Sequence, residues 1–166
     1  MGTNWRMFSE VEDSDHPIKL YLNKRLAKNG LAWIKKEDVK KNAHTIQYHK
    51  IFIPKAYGSA TDPYVIGKPI YGPPNSVCSV TYIVVGFNNE IKTKEIAENI
   101  ISYMTTKFFR YLVSIKKKTQ DNPRDVFQFV PLQDFSKAWT DEELYNKYGL
   151  DIFEREYIES MIKPME

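Results

Sequence analysis

Residues 54–76 constrain this chain more than any other stretch. PKAYG, DPY, GKP and YGPPN follow one another there, and neither a helix nor an unbroken strand tolerates proline and glycine at that density. The segment therefore reads as a long loop. Loops of that length are either functional or disordered. Aromatic residues set beside its glycines and prolines point to an ordered, functional one.

On either side of the loop the pattern is regular. Upstream, short extended runs (WRMF, IKLYL, LAWI, KIFI) are separated by turn signals such as Asn29-Gly30, and KKEDVKKN reads as a short polar helix. Downstream, SVTYIVVGF reads as a buried strand. Helical spacing then joins Ile96, Ile100, Tyr103 and Met104, and again Phe108, Tyr111, Leu112 and Ile115. Thr105-Thr106 divides the two helices, with Thr106 as the cap of the second. VFQFVPLQDF leads on to two capping-box patterns, Thr140 with Glu143 and Asp151 with Glu154, and Gly149 closes the first of those helices. The expected fold is α+β: short N-terminal strands, a long ordered loop and a helical C-terminal third, in a single domain spanning 1–166.

Composition narrows the class. At 166 residues, 42% hydrophobic and 27% charged, the chain is long enough to bury its own core. Its one cysteine, Cys78, excludes a disulfide framework and any cysteine-rich zinc module. Apolar runs fall far short of the ~20 residues a membrane helix needs. The opening MGTNWRMFSEVEDSD has no apolar core of a signal peptide, and Arg6 stands where a myristoylation motif has Ser or Thr. A cytoplasmic protein with no membrane partner is the expectation.

The net charge of +3 is unevenly spread. Residues 17–55 carry ten Lys/Arg against Glu37 and Asp38, and residues 107–124 carry six against Asp121. Residues 140–166 reverse the balance, with eight acids against three bases. Such segregation gives one basic face and an acidic end, or else lysines that only solvate the surface.

Catalytic patterns are thin. His16, His44 and His49 form no metal-binding spacing and read as surface residues. GxSxG, P-loop and GxGxxG are absent. Asp62 with the pair Glu90 and Lys92 could serve a small Mg-dependent nuclease, two carboxylates holding the metal and a lysine beside the attacking water. Against this, Glu90 follows Asn88-Asn89 in what reads as a turn. Methyl transfer to DNA would need an Asn/Asp-Pro-Pro-aromatic motif, which neither DNPRD nor GPPN supplies. Nucleic-acid binding fares better. SIKKKTQDNPRD sets lysines that neutralise phosphate beside Gln and Asn, whose amides pair with adenine edges.

Two stretches carry a family resemblance. SVCSVTYIVVGF, followed by NIISYMTTKFFRYLVSIKKKTQDNPRDVFQFVPLQDFSKAWTDEELYNKYGLDIFEREYIESMIKPM, resembles the C-terminal target-recognition region of bacterial restriction–modification enzymes. These are adenine-specific DNA methyltransferases and fused methylase–endonucleases. WIKKEDVKKN…YHKIFIPKAYG resembles the opening of the same region, so the likeness spans about residues 31–166.

The resemblance implies sequence-specific recognition of double-stranded DNA without catalysis or a cofactor in this chain. S-adenosylmethionine and Mg would belong to upstream catalytic domains or subunits of a parent enzyme. It makes Lys55, Tyr57, Lys116, Lys117, Lys118, Gln120, Asn122 and Arg124 the expected DNA contacts, with Lys35, Lys36 and Lys50 on phosphates. Phe108, Phe109, Tyr111, Leu112, Phe129, Leu132, Trp139, Leu144, Tyr145, Tyr148, Ile158 and Met161 are expected as core or helix-packing positions.

Overall fold

Six short strands and four α-helices form among the described residues, 7–58 and 61–165, of this computed structural model. The strands are β1 (Ile18–Tyr21), β2 (Leu31–Ile34), β3 (Lys50–Pro54), β4 (Ile70–Gly72), β5 (Ser76–Cys78) and β6 (Tyr82–Val85). The helices are α1 (Lys94–Thr105), α2 (Lys107–Lys116), α3 (Asp141–Tyr148) and α4 (Ile152–Met161). The fold is α+β. Its chain packs as two compact units: the described residues through Phe52 with Tyr71–Lys94, and Ile53–Ile70 with the residues from Glu95 onward. The segment 53–70 packs with the downstream helices, whereas 71–94 packs with the first strands.

Alternation builds the first unit. In β1, Ile18 and Leu20 are buried, and β2 buries Ala32 and Ile34. The antiparallel register Ile18↔Ile34 and Leu20↔Ala32 puts these four side chains on one face. β5 adds to the other edge of β1 in parallel, with Val77 opposite Leu20, giving the order β2-β1-β5. Leu22, Ala27 and Ile46 complete this cluster. Each large aliphatic side chain sealed there contributes about 1.5–3 kcal/mol. The β1–β2 connection needs Asn29-Gly30 as read from sequence: both adopt positive φ, 57° and 70°. A Cβ on Gly30 would stand 2.6 Å from the Leu22 carbonyl oxygen. A second sheet has the order β4-β3-β6.

Three local expectations change here. KKEDVKKN gives only a 3-10 turn at Lys36–Asp38, because Asn42 turns left-handed at φ 59° and a separate turn follows at Ala43–Gln47. SVTYIVVGF is not one buried strand. A turn bonding Tyr82 N–H to the Ser79 carbonyl precedes β6, whose four residues are only half-buried. In WRMF, Trp5 and Arg6 lie outside the described residues, and the extended pairing appears instead between Ser9 and Trp33.

The second unit follows its caps. Thr106 ends α1 and starts α2, its hydroxyl accepting from Phe109 N–H at 3.1 Å. Both capping boxes form, Thr140 with Glu143 and Asp151 with Glu154. Gly149 ends α3 at φ 66°, in the left-handed conformation that suits glycine. Phe108, Phe109, Trp139, Leu144, Tyr145 and Ile158 are buried as expected. Tyr111 and Leu112 are only half-buried. Tyr148, though exposed, packs on Phe108 with ring centroids 5.1 Å apart, whereas Phe129, Leu132 and Met161 are exposed. For Phe129 and Leu132 the reason is local. VFQFVPLQDF forms no strand, only a 3-10 turn at Arg124–Phe127, so its alternation is never matched to a sheet face. Among the described residues no helix is long and apolar enough to cross a membrane.

Candidate nucleic-acid interface

The PKAYG and KKKTQDNPRD loops, distant in sequence, meet in the second unit through backbone pairing. Tyr57 N–H donates to the Gln120 carbonyl at 2.9 Å, and Asn122 N–H to the Lys55 carbonyl at 2.8 Å. Ala56 and Asp121 face each other across this one-rung antiparallel bridge. Two buried side chains lock it. Lys117 Nζ donates to the carbonyls of Tyr57, at 2.9 Å, and of Val65, and to Asn122 Oδ1 at 3.0 Å. Asn122 Nδ2 donates in turn to the Pro54 carbonyl at 3.1 Å.

This arrangement divides the expected DNA contacts into two groups. Lys55, Lys118, Gln120 and Arg124 are exposed on or beside the paired loops, and Tyr57 is half-buried. Lys116, partly exposed, donates to Gln128 Oε1 at 2.6 Å and sits 5.4 Å from the centre of the Phe129 ring. Lys117 and Asn122 are corrected to interior positions, at 5% and 1% exposure. Every acceptor they hold is internal, so neither presents a polar atom to a phosphate or a base. Burial also pulls the Lys117 ammonium below its ordinary pKa, against the raising influence of Asp62 and Asp121.

Lys35, Lys36 and Lys50 belong to the first unit. Lys36 is exposed and Lys35 half-buried. Lys50 is corrected as a phosphate contact: it is 1% exposed, with Nζ donating to the Tyr48 carbonyl at 2.6 Å and more weakly to those of Ile46 and Pro73. Burial pushes its pKa down to about 8. The chain thus uses three of its expected surface groups as interior ties.

Sequence reading missed Arg110, the largest fully buried side chain. Its Nε donates to the Thr105 and Thr106 carbonyls, both at 3.2 Å, and its Nη1 to the Tyr64 carbonyl at 3.4 Å. A signal was present. Thr106, Arg110, Val113 and Lys117 recur at helical spacing, and all four are buried, so helical periodicity applied to charged residues would have placed both cations inward.

The nuclease residues are divided between the two units. Asp62 Oδ1 accepts from Tyr64 N–H at 2.8 Å in the second unit, while Glu90 and Lys92 belong to the first. Glu90 is held by its own turn, accepting from Asn88 N–H and Nδ2, and these bonds together with its own backbone N–H keep its pKa below the usual carboxylate value. Among the described residues no three His, Cys, Asp or Glu side chains cluster as metal ligands would. The histidines also differ in burial: His44 is exposed, edge-on to Phe87, whereas His49 is half-buried with Nδ1 2.6 Å from the Tyr71 hydroxyl. Comparison with family models, with curated proteins and with solved structures finds no match to this chain.

Proposed function

We propose that this chain is a non-catalytic, sequence-specific DNA-recognition module of a restriction–modification system. Its partners are double-stranded DNA and the catalytic domains or subunits of a parent enzyme, which would hold S-adenosylmethionine and Mg. One observation carries the reading. The two loops singled out from sequence are tied into one platform by the Lys55–Tyr57 and Gln120–Asn122 pairing, which leaves Lys55, Lys118, Gln120 and Arg124 at the surface. A platform of this kind is suited to its task, because phosphate contacts fix position while amide groups read base edges. Internal ties matter for such a role: a surface held by buried hydrogen bonds meets its target with little ordering left to do.

Titration of short duplexes at several salt concentrations tests the proposal. Log affinity should fall linearly with log salt, with a slope of about 0.9 for each phosphate neutralised. Affinity that ignores salt, or no duplex binding at low salt, removes the reading.

A further inference from the structure

A pocket of about 460 Å³ opens in the second unit, lined by Tyr57, Tyr64, Ile66 and Lys68 and by the segment 163–165. One wall is a strained turn. Val65 stands at φ 65°, and Ile66 N–H donates to the Tyr64 carbonyl at 2.7 Å across it. A γ-turn of that hand is rare, and rarer on a β-branched residue. Such strain persists only where its surroundings over-determine it. Here two buried cations do so: Arg110 holds the Tyr64 carbonyl and Lys117 the Val65 carbonyl.

Arg110 brings more charge than the turn requires. It is wholly buried, and its Nη2 has no hydrogen-bond partner. Among the described residues no carboxylate pairs with it. The acid acting on it, Asp141, has both oxygens bonded to the Lys107 and Phe108 N–H groups at the start of α2. Tyr57 and Tyr64, which line the pocket, lie within electrostatic reach of the same guanidinium. Lys163 adds an exposed cation to the rim, beside Lys68 in the lining; Asp62, the acid nearest Tyr57, accepts the Tyr64 N–H through Oδ1. A desolvated cation that no carboxylate pairs among the described residues makes its surroundings, the Tyr64 wall of the pocket included, favourable to negative charge.

We infer that this pocket is an anion site for a phosphate group, with lysine and tyrosine side chains as its donors and Arg110 as the fixed charge behind them. A phosphate of the DNA backbone and one on a small soluble ligand share this chemistry, and the same residues would hold either. The backbone source rests on the DNA reading above; the soluble source does not.

The full chain is titrated with inorganic phosphate against chloride at matched ionic strength, following the tyrosine ring resonances. Saturable shifts of Tyr57 and Tyr64 are expected with phosphate alone, and Lys163→Glu, on the exposed rim, should weaken them at least tenfold at an unchanged melting temperature. Arg110→Lys, which keeps the charge, should retain the site; Arg110→Met, if folded, should lose it. Shifts matching those in chloride, or an affinity untouched by Lys163→Glu, overturn the inference. A short duplex that displaces phosphate, and that Lys163→Glu weakens, identifies the backbone as the source. Duplex binding with the phosphate response intact identifies a soluble ligand. Duplex binding without any phosphate response removes the pocket and leaves the DNA reading standing.

Discussion

Lys117 Nζ and Asn122 Oδ1 meet at 3.0 Å, both sealed from solvent, in the part of the chain that looks most like a DNA-binding loop. The pair welds the KKKTQDNPRD loop to the PKAYG loop. Removing either side chain leaves buried acceptors or donors without partners. Lys117→Ala and Asn122→Ala should each cost roughly 2–4 kcal/mol of stability. Lys118→Ala, on an exposed neighbour, should stay within about 0.5 kcal/mol. Chemical denaturation of the three variants measures this, and equal stabilities would show that the ties are dispensable.

Two buried valines separate strain from packing. Val65 and Val113 are 3% and 0% exposed, but Val65 stands at φ 65° while Val113 is helical. Val113→Gly loses a buried side chain and a good helix position, for a total of roughly 3 kcal/mol or more. Val65→Gly loses similar burial but releases about 1–3 kcal/mol of backbone strain, so its net cost should be near 1 kcal/mol. Equal losses in the two variants, by thermal or chemical unfolding, would mean that the turn stores no strain.

Much of this architecture was legible because local signals decide it. Thr106, Thr140, Asp151 and Gly149 are chemical punctuation, and each ends or begins a helix where the sequence placed it. The alternation in IKLYL and LAWI gave β1 and β2 their buried faces. What failed was decided by tertiary contact. Lys117 and Asn122 carry polar ends that sequence assigns to solvent, yet backbone carbonyls brought from elsewhere in the chain satisfy them inside, and Lys50 folds back on the nearby Tyr48 and Ile46 carbonyls with a weaker bond to that of Pro73. Phe129 and Leu132 look like core residues, but no sheet or helix forms around them to give them an inner face.

Lys50 gives the first unit a pH signature. Its folded pKa, about 8, lies below the ordinary lysine value of 10.5, because burial disfavours the ammonium and outweighs the raising influence of Cys78. Between those values the unfolded chain binds a proton that the folded chain has released, so stability rises with pH there. Cys78 opposes this from pH 9 upward. Burial lifts its thiol from 9.0 to about 12, so the unfolded chain ionises first and stability falls. The Lys50 effect is therefore cleanest from pH 8 to 9. Urea titrations across that window should show a positive slope in the native chain that Lys50→Met abolishes. A slope unchanged in the variant would place its origin elsewhere.

Gln120 and Asn122 flank Asp121 on the same loop, yet the structure gives them opposite prospects as base readers. Asn122 spends its side-chain oxygen on Lys117 and its amide nitrogen on the Pro54 carbonyl, at 1% exposure. Gln120 is held through its backbone carbonyl, bonded to Tyr57 N–H, and its side chain is exposed on the platform. An amide that pairs bidentately with an adenine edge contributes roughly 1–3 kcal/mol of discrimination. Gln120→Ala should therefore lower affinity by that amount on a duplex selected from a random pool, with little change on scrambled duplexes or in melting temperature. Asn122→Ala should do the reverse, losing stability while the preference among duplexes is unchanged. Lys118→Ala and Arg124→Ala complete the comparison: each should weaken all duplexes alike and reduce the salt slope by about one unit. Melting temperature and affinity for selected and scrambled duplexes, measured together on the four variants, decide the matter. If Gln120→Ala leaves the preference intact, base reading by this loop is excluded, and the exposed lysine and arginine keep only a positioning role.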